Sequence, residues 1–170
     1  MKNLYLLISL FIQSVLFSQG SFHILGTGSI QNTPSAYPSI YGNWFRGARH
    51  QILIKASELQ ASGMSAGNIS GIGFDVAVPS SGSLSNFEIE LKSTTQITLN
   101  AWSNNNLQTC FGPTTVNDVP GWNQHDFHTP FYWDGTSNII VQTCFYSSGN
   151  SQNAIMNMSN YSYNTLIYRR

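Results

Sequence analysis

The sequence predicts an all-β fold: an antiparallel β-sandwich with one short helical turn. Three observations carry that expectation. Ile72, Phe74, Val76 and Val78 alternate with Gly73, Asp75 and Ala77, and Phe87, Ile89 and Leu91 alternate with Glu88, Glu90 and Lys92. Successive side chains of a strand point to opposite faces, so this period of two means one buried face and one wet face. The second observation is the stretch Gly121–Phe145, which reads as two strands joined by a short turn. The third is the spacing of eight or so short runs between Gly/Pro/Asn/Ser turns, with no strand–helix–strand alternation. A jelly-roll-like strand order is preferred and an immunoglobulin-like order is the alternative; pattern alone does not choose between them.

Taken in order, residues 1–20 read as a secretory signal peptide. Lys2 supplies the positive start, Leu4 to Phe17 the apolar stretch, and Ser18-Gln19-Gly20 a small-x-small cleavage site. The apolar run is shorter than the ~20 residues a spanning helix needs. No later segment is apolar enough to cross a bilayer, so a secreted or cell-surface protein is expected. Phe22–Leu25 reads as a short first strand. Residues 29–43 carry Pro34 and Pro38 and read as an exposed loop, whose Tyr37 and Tyr41 are candidate ligand contacts. The structural reading, in which both rings lie flat on the core edge, is preferred. Trp44–Ala56 holds a strand with His50, Ile52 and Ile54 on one face. Ser57-Glu58-Leu59-Gln60 then resembles a capping box, closed by Gly63. Weaker strands are expected near Ile97–Trp102 and Gln108–Phe111.

In the hairpin, Phe127, Phe131 and Trp133 share one parity and hence one face. Asp134 to Asn138 forms the turn, where Gly135 accepts a positive φ at little cost. Ile139-Ile140-Val141 is apolar on both parities, so both of its faces should be covered. Ala154–Met158 and Thr165–Tyr168 read as closing strands. The chain stops within what reads as a strand, which points to an N-terminal piece of a longer protein.

Residues 21–170 are the size of one ordinary domain. Only 8% of the chain is charged and 13% is aromatic, against ~25% charged in a typical soluble protein. Ser, Thr, Asn and Gly fill the outer faces instead, as suits an extracellular β-protein. There is no basic patch, which argues against nucleic acid and anionic membranes as partners. Cys110 and Cys144 are the only cysteines. An even count in an exported chain favours a disulfide between them, the alternative being two buried thiols.

No residue pattern predicts catalysis. His125 and His128 are three apart, so in a strand they point to opposite faces and share a metal only across a bulge. Asp134, with Ser137 and Asn138, is a weak calcium candidate; short Asp-Gly turns usually have the Asp capping its own turn. Nucleophile and zinc motifs are absent. Glu88 and Glu90 share the outer, solvated face, whereas acid–base carboxylates work in clefts. Arg46 and Arg49 beside Trp44 and Phe45 suit a cation–π or carboxylate-binding edge, or a structural tie. No cofactor is expected.

Two segments, Tyr41–Ala77 and Gly121–Phe145, resemble a module of secreted, multidomain surface proteins of the Bacteroidetes. The shared elements are a Tyr-Gly-x-aromatic-x-basic-Gly-x-Arg-x-Gln opening, an Ala-x-Glu-Leu turn, Ile-x-x-Ile-x-Phe-Asp-Val, and Phe-x-x-Pro-Phe-x-Trp-Asp-Gly-x-Ser-Asn. The resemblance implies an accessory β-sandwich module in proteins that commonly carry a type IX sorting domain; none is visible here. It brings no catalytic residues. The function expected is therefore a non-catalytic interaction or spacer module acting through adhesion or contacts with neighbouring domains. The alternative is a carbohydrate-binding accessory domain of an exported hydrolase. An exposed aromatic row, from Tyr37, Tyr41 and Trp102, would favour the alternative, and four buried tryptophans would count against it.

Overall fold

A computed structural model describes residues 20–149 and 151–170. The expected signal segment lies outside the described residues, Gly20 excepted. The elements are β1 (Ile30–Gln31), β2 (Gly47–Ile54), α1 (Ala56–Ala61), β3 (Gly67–Val78), β4 (Leu84–Thr94), β5 (Gln108–Val116), β6 (Gly121–Trp133), β7 (Asn138–Tyr146), β8 (Ile155–Met158) and β9 (Leu166–Arg169). They form two antiparallel sheets, one in the order β1-β8-β3-β6 and one in the order β5-β4-β7-β2-β9.

That order is a jelly roll. β1 pairs with β8, β2 with β7, β3 with β6 and β4 with β5. The chain is thus one long hairpin, β1–β4 running out and β5–β8 running back, rolled so that successive rungs fall in opposite sheets. β9 adds to the free edge of β2.

The alternating runs face as their sequence requires. Phe87, Ile89 and Leu91 of β4 and Ile139, Val141 and Phe145 of β7 point inward, toward Val76 of β3 and Phe127, Phe131 and Trp133 of β6. Trp133 is fully buried, and its indole N–H donates to the Ser137 carbonyl at 2.7 Å. An aromatic side chain of this size removes ~150–250 Å² from water, worth roughly 4–6 kcal/mol as an upper bound. Ile140 points the other way, into a second, small core with Leu53 and Leu99, flanked by Tyr163 and Ile167. Both faces of Ile139-Ile140-Val141 are covered, as its unbroken apolar character predicts.

Four expectations differ from the structure. Phe22–Leu25 forms no strand; β1 lies instead inside the expected loop 29–43. Just beyond β1, the Asn32 side chain continues the pairing, donating to the Ala154 carbonyl and accepting from the Met156 N–H. Ile97–Trp102 is not a strand either. It crosses the outside of the five-stranded sheet, tied by Leu99 N–H to the Asn164 carbonyl and by two bonds between Gln51 and Ser103. Helix α1 begins one residue before the expected box, so Ser57 lies inside it. Glu58 Oε2 accepts the Lys55 N–H and Asn138 Oδ1 accepts the Ala56 N–H; one half of the cap is local and the other comes from the hairpin, far away in sequence.

The cysteines are free thiols. Cys110 belongs to the inner core from β5, and Cys144 sits on β7 between inward-facing Thr143 and Phe145. β4 separates the two strands, so they lie two strand spacings, roughly 9.5 Å, apart on opposite faces. A disulfide requires Cα atoms within ~7 Å.

Candidate functional site

The predicted ligand contacts do not form one row. Tyr41 is 1% exposed; its hydroxyl and His125 Nε2 share a 2.7 Å hydrogen bond inside the sandwich. Phe87 and Phe111 pack on that imidazole with centroids 5.1 and 4.8 Å away. Burial lowers the His125 pKa to about 4 and raises that of the Tyr41 phenol, so the pair is neutral. Tyr37 donates to the Gly42 carbonyl at 2.6 Å and stacks on Tyr168 and His50. Trp102 lies on the outside of the five-stranded sheet, with the Arg49 guanidinium carbon 4.6 Å from its ring centroid.

The remaining polar candidates are locally satisfied. Asp134 accepts the N–H groups of Thr136 and Ser137 and the Ser137 hydroxyl, which hold its pKa at about 2. Asp118 accepts from Ser80, and Asp75 from Asn157. Asp75 stands opposite Trp122, at the far end of β6 from Asp134. His128 points outward, bonded to Thr129 and the Gly112 carbonyl, on the opposite face from His125, as their spacing predicts. Among the described residues no three His, Cys, Asp or Glu side chains stand together as a metal-binding group.

Two outer faces carry the arrangements with most chemistry. On the four-stranded sheet, Gln31, Asn157, Asp75 and Trp122 form one row across β1, β8, β3 and β6. Gln31 donates to Asn157 at 2.7 Å, and Asn157 donates to Asp75 at 2.8 Å. The row spans three strand spacings, roughly 14 Å. Beside it, Gln124 donates to Asp126 at 2.7 Å. Their partners on β3 are Gly73 and Gly71, so the floor there has no side chains. The indole of Trp122 lies against that floor: a Cβ added at Gly73 would stand 3.4 Å from Trp122 Cε3. Trp122 is still 52% exposed. The result is an aromatic plate beside fixed amide and carboxylate groups.

On the five-stranded sheet the outer residues form a bonded lattice. Gln142 is its hub, accepting from Arg49 and Gln51 and donating to Glu90. Lys92 reaches Ser103 and the Asn105 carbonyl. Glu88, Glu90 and Lys92 are half-buried rather than fully solvated, Lys92 under the 95–107 segment and the two carboxylates against Cys144 and Gln142 of β7. Burial, and then the neighbouring Glu88, raise the Glu90 pKa. The Cys144 thiol donates to Glu88 at 2.8 Å; burial and then that carboxylate push its pKa up to about 12, so it is no nucleophile at neutral pH.

Trp122 was open to sequence reasoning. It alternates with Asn123, His125 and Phe127, whose inward parity sends Trp122 outward. The glycines beside it, opposite Gln124 and Asp126, could not be found that way, because pairing register is a tertiary property. Of the four tryptophans, Trp133 is buried, Trp102 is half-covered, and Trp44 and Trp122 are about half exposed. Compared with protein-family models, curated proteins and solved structures, the chain shows no match.

Proposed function

We propose that this chain is a non-catalytic interaction module of a secreted or surface-displayed bacterial protein, and that the contact it makes is with carbohydrate. The observation that carries the reading is Trp122 laid over Gly73, half exposed, at the end of the Gln31–Asn157–Asp75 row. A pyranose ring has an apolar face of C–H groups and a rim of hydroxyls. An indole offers the matching apolar plate, while amides and carboxylates donate to and accept from hydroxyls. Because these groups already hold one another by hydrogen bonds, little side-chain entropy is left to lose on binding. The signal-like start and the resemblance to Bacteroidetes surface modules support the exported setting.

The test is a glycan array followed by calorimetry with the best neutral oligosaccharide, comparing the native chain with Trp122→Ala. Loss of binding in the variant at unchanged melting temperature supports the reading. Equal binding by both, or no neutral glycan bound, would sink it and leave contact with neighbouring domains as the function.

A further inference from the structure

We propose a second, independent site on the opposite side of the sandwich: the depression over Gly47, where Arg49 and Arg169 hold the carboxylate of an acidic sugar unit. All four arginines of the chain fall at positions 46, 49, 169 and 170. Arg49 on β2 and Arg169 on β9 are direct cross-strand partners. Like charges placed directly opposite each other destabilise a sheet, and an anion between them removes that repulsion. The depression holds about 320 Å³ and is lined by Gly47, Arg49, Cys144, Tyr146, Arg169 and Arg170, among others. It is shallow and open, so it would seat one sugar unit against its floor rather than enclose it.

The arginines are positioned but not neutralised by their contacts. Arg49 donates to the amide oxygens of Gln142 and Asn104 and lies over Trp102. These partners fix the fork and carry no charge. Glu88 and Glu90 accept from Cys144 and Gln142 rather than from an arginine. They keep their charge, and Arg49 stands close enough to oppose the rise in the Glu90 pKa, so Arg169 is the leading anion contact of the pair. The Cys144 thiol stays protonated and adds no negative charge. Arg170 is set over the Phe45 ring at 4.5 Å.

An acidic sugar fits this floor better than an acidic peptide. Gly47 pairs with Tyr146 of β7, and β2 pairs with β9 from Arg49 onward. The free backbone edge therefore belongs to β9 at the rim, and the floor itself offers ring and guanidinium faces rather than a strand edge. Tyr146, 69% exposed, offers a ring face on which a sugar can stack while the Arg169 fork and the remaining Nη1 of Arg49, whose Nε and Nη2 are bonded to Gln142 and Asn104, take its carboxylate.

The experiment is calorimetric titration of the native chain with a galacturonic acid trimer, its methyl ester and a hexaglutamate peptide. Binding of the trimer, about tenfold or more weaker for the methyl ester and for Arg169→Gln, is the expected result. Arg169 is exposed at a sheet edge, so this variant keeps the fold even if Arg49→Gln does not. The Trp122→Ala variant should bind the trimer unchanged, which separates this site from the neutral-glycan face. No binding of the trimer at millimolar concentration, equal binding of its methyl ester or of the peptide, or an unaffected Arg169→Gln variant each overturns the proposal. So does loss of trimer binding in Trp122→Ala.

Discussion

The two sheets of this sandwich treat their outer faces in opposite ways. Among the described residues the four-stranded sheet leaves its face bare, with Gly71 and Gly73 as floor and Trp122, Gln124 and Asp126 standing on it. The five-stranded sheet is crossed by the 95–107 segment, which seals Ile140 and Leu53 under Leu99 and ties Gln51 and Lys92 by hydrogen bonds. Composition explains the contrast. β7 carries Ile140 outward, and an aliphatic side chain left in water forfeits ~1.5–3 kcal/mol of burial, so that face needs a cover. β6 carries only polar or amphipathic groups outward and needs none. A face that needs no cover for stability is free to contact something else.

The strongest way to break this contrast is to empty the second core. Ile140→Ala should cost about 3 kcal/mol, within the usual range for a buried aliphatic side chain, whereas Gln124→Ala on the bare face should stay within about 0.5 kcal/mol. Urea denaturation of the two variants measures both. If they lose stability equally, the 95–107 segment is not a structural cover.

Acid sharpens the comparison, because each sheet contributes one buried histidine. His50 of β2 is fully buried with Nδ1 unbonded, and burial lowers its pKa to about 3; His125 of β6 shares a bond with Tyr41 and is lowered to about 4. Both folded values lie below the ~6.5 of an unfolded chain. The unfolded state therefore takes up protons first, and stability present above pH ~6.5 is lost as pH falls toward 4. The expected loss between pH 7 and 5 is roughly 2–4 kcal/mol for the pair, read from denaturation midpoints. His50→Leu should remove about half of that slope. His125→Leu should remove the other half while stranding the Tyr41 hydroxyl, at a cost of ~1–3 kcal/mol at neutral pH.

A smaller effect tests the lattice. Gln142→Leu removes the shared partner of Arg49, Gln51 and Glu90 and should destabilise by about 2 kcal/mol, with little change in binding of neutral glycans. The smallest effect is Trp122→Ala on stability, within about 0.5 kcal/mol, the same substitution that should abolish neutral-glycan binding.

How much of this was legible beforehand depended on whether a property is local. Alternation in 72–78 and 87–91 placed β3 and β4, and the parity of Phe127, Phe131 and Trp133 placed the inner face of β6. His125 and His128 were separated by simple counting. What failed was whatever depended on register between distant strands. The cysteines looked pairable until β4 came between them. By sequence Tyr41 is either a ligand contact or a ring against the core edge; in the fold it goes deeper than either, into the core to meet a histidine 84 residues on. The outward direction of Glu88 and Glu90 was read correctly but not their solvation: both are half-buried against Gln142 and Cys144 of β7, and Lys92 beside them lies under the 95–107 segment, a stretch read as a weak strand.

The rolled-hairpin order also sets how the chain can reach this state. β4 and β5 are the only rung whose strands are close in sequence; β3 waits for β6, β2 for β7, and β1 for β8. Loop closure is cheapest at the innermost rung and grows more costly outward, so closure is favoured from the β4–β5 end toward β1 and β8. Such non-local pairing belongs to the slow class of single domains, folding in milliseconds to seconds. Pulse-labelled amides of Phe87 and Ile89 should gain protection before those of Ile30, and the last contact to form should be the two-residue rung between β1 and β8.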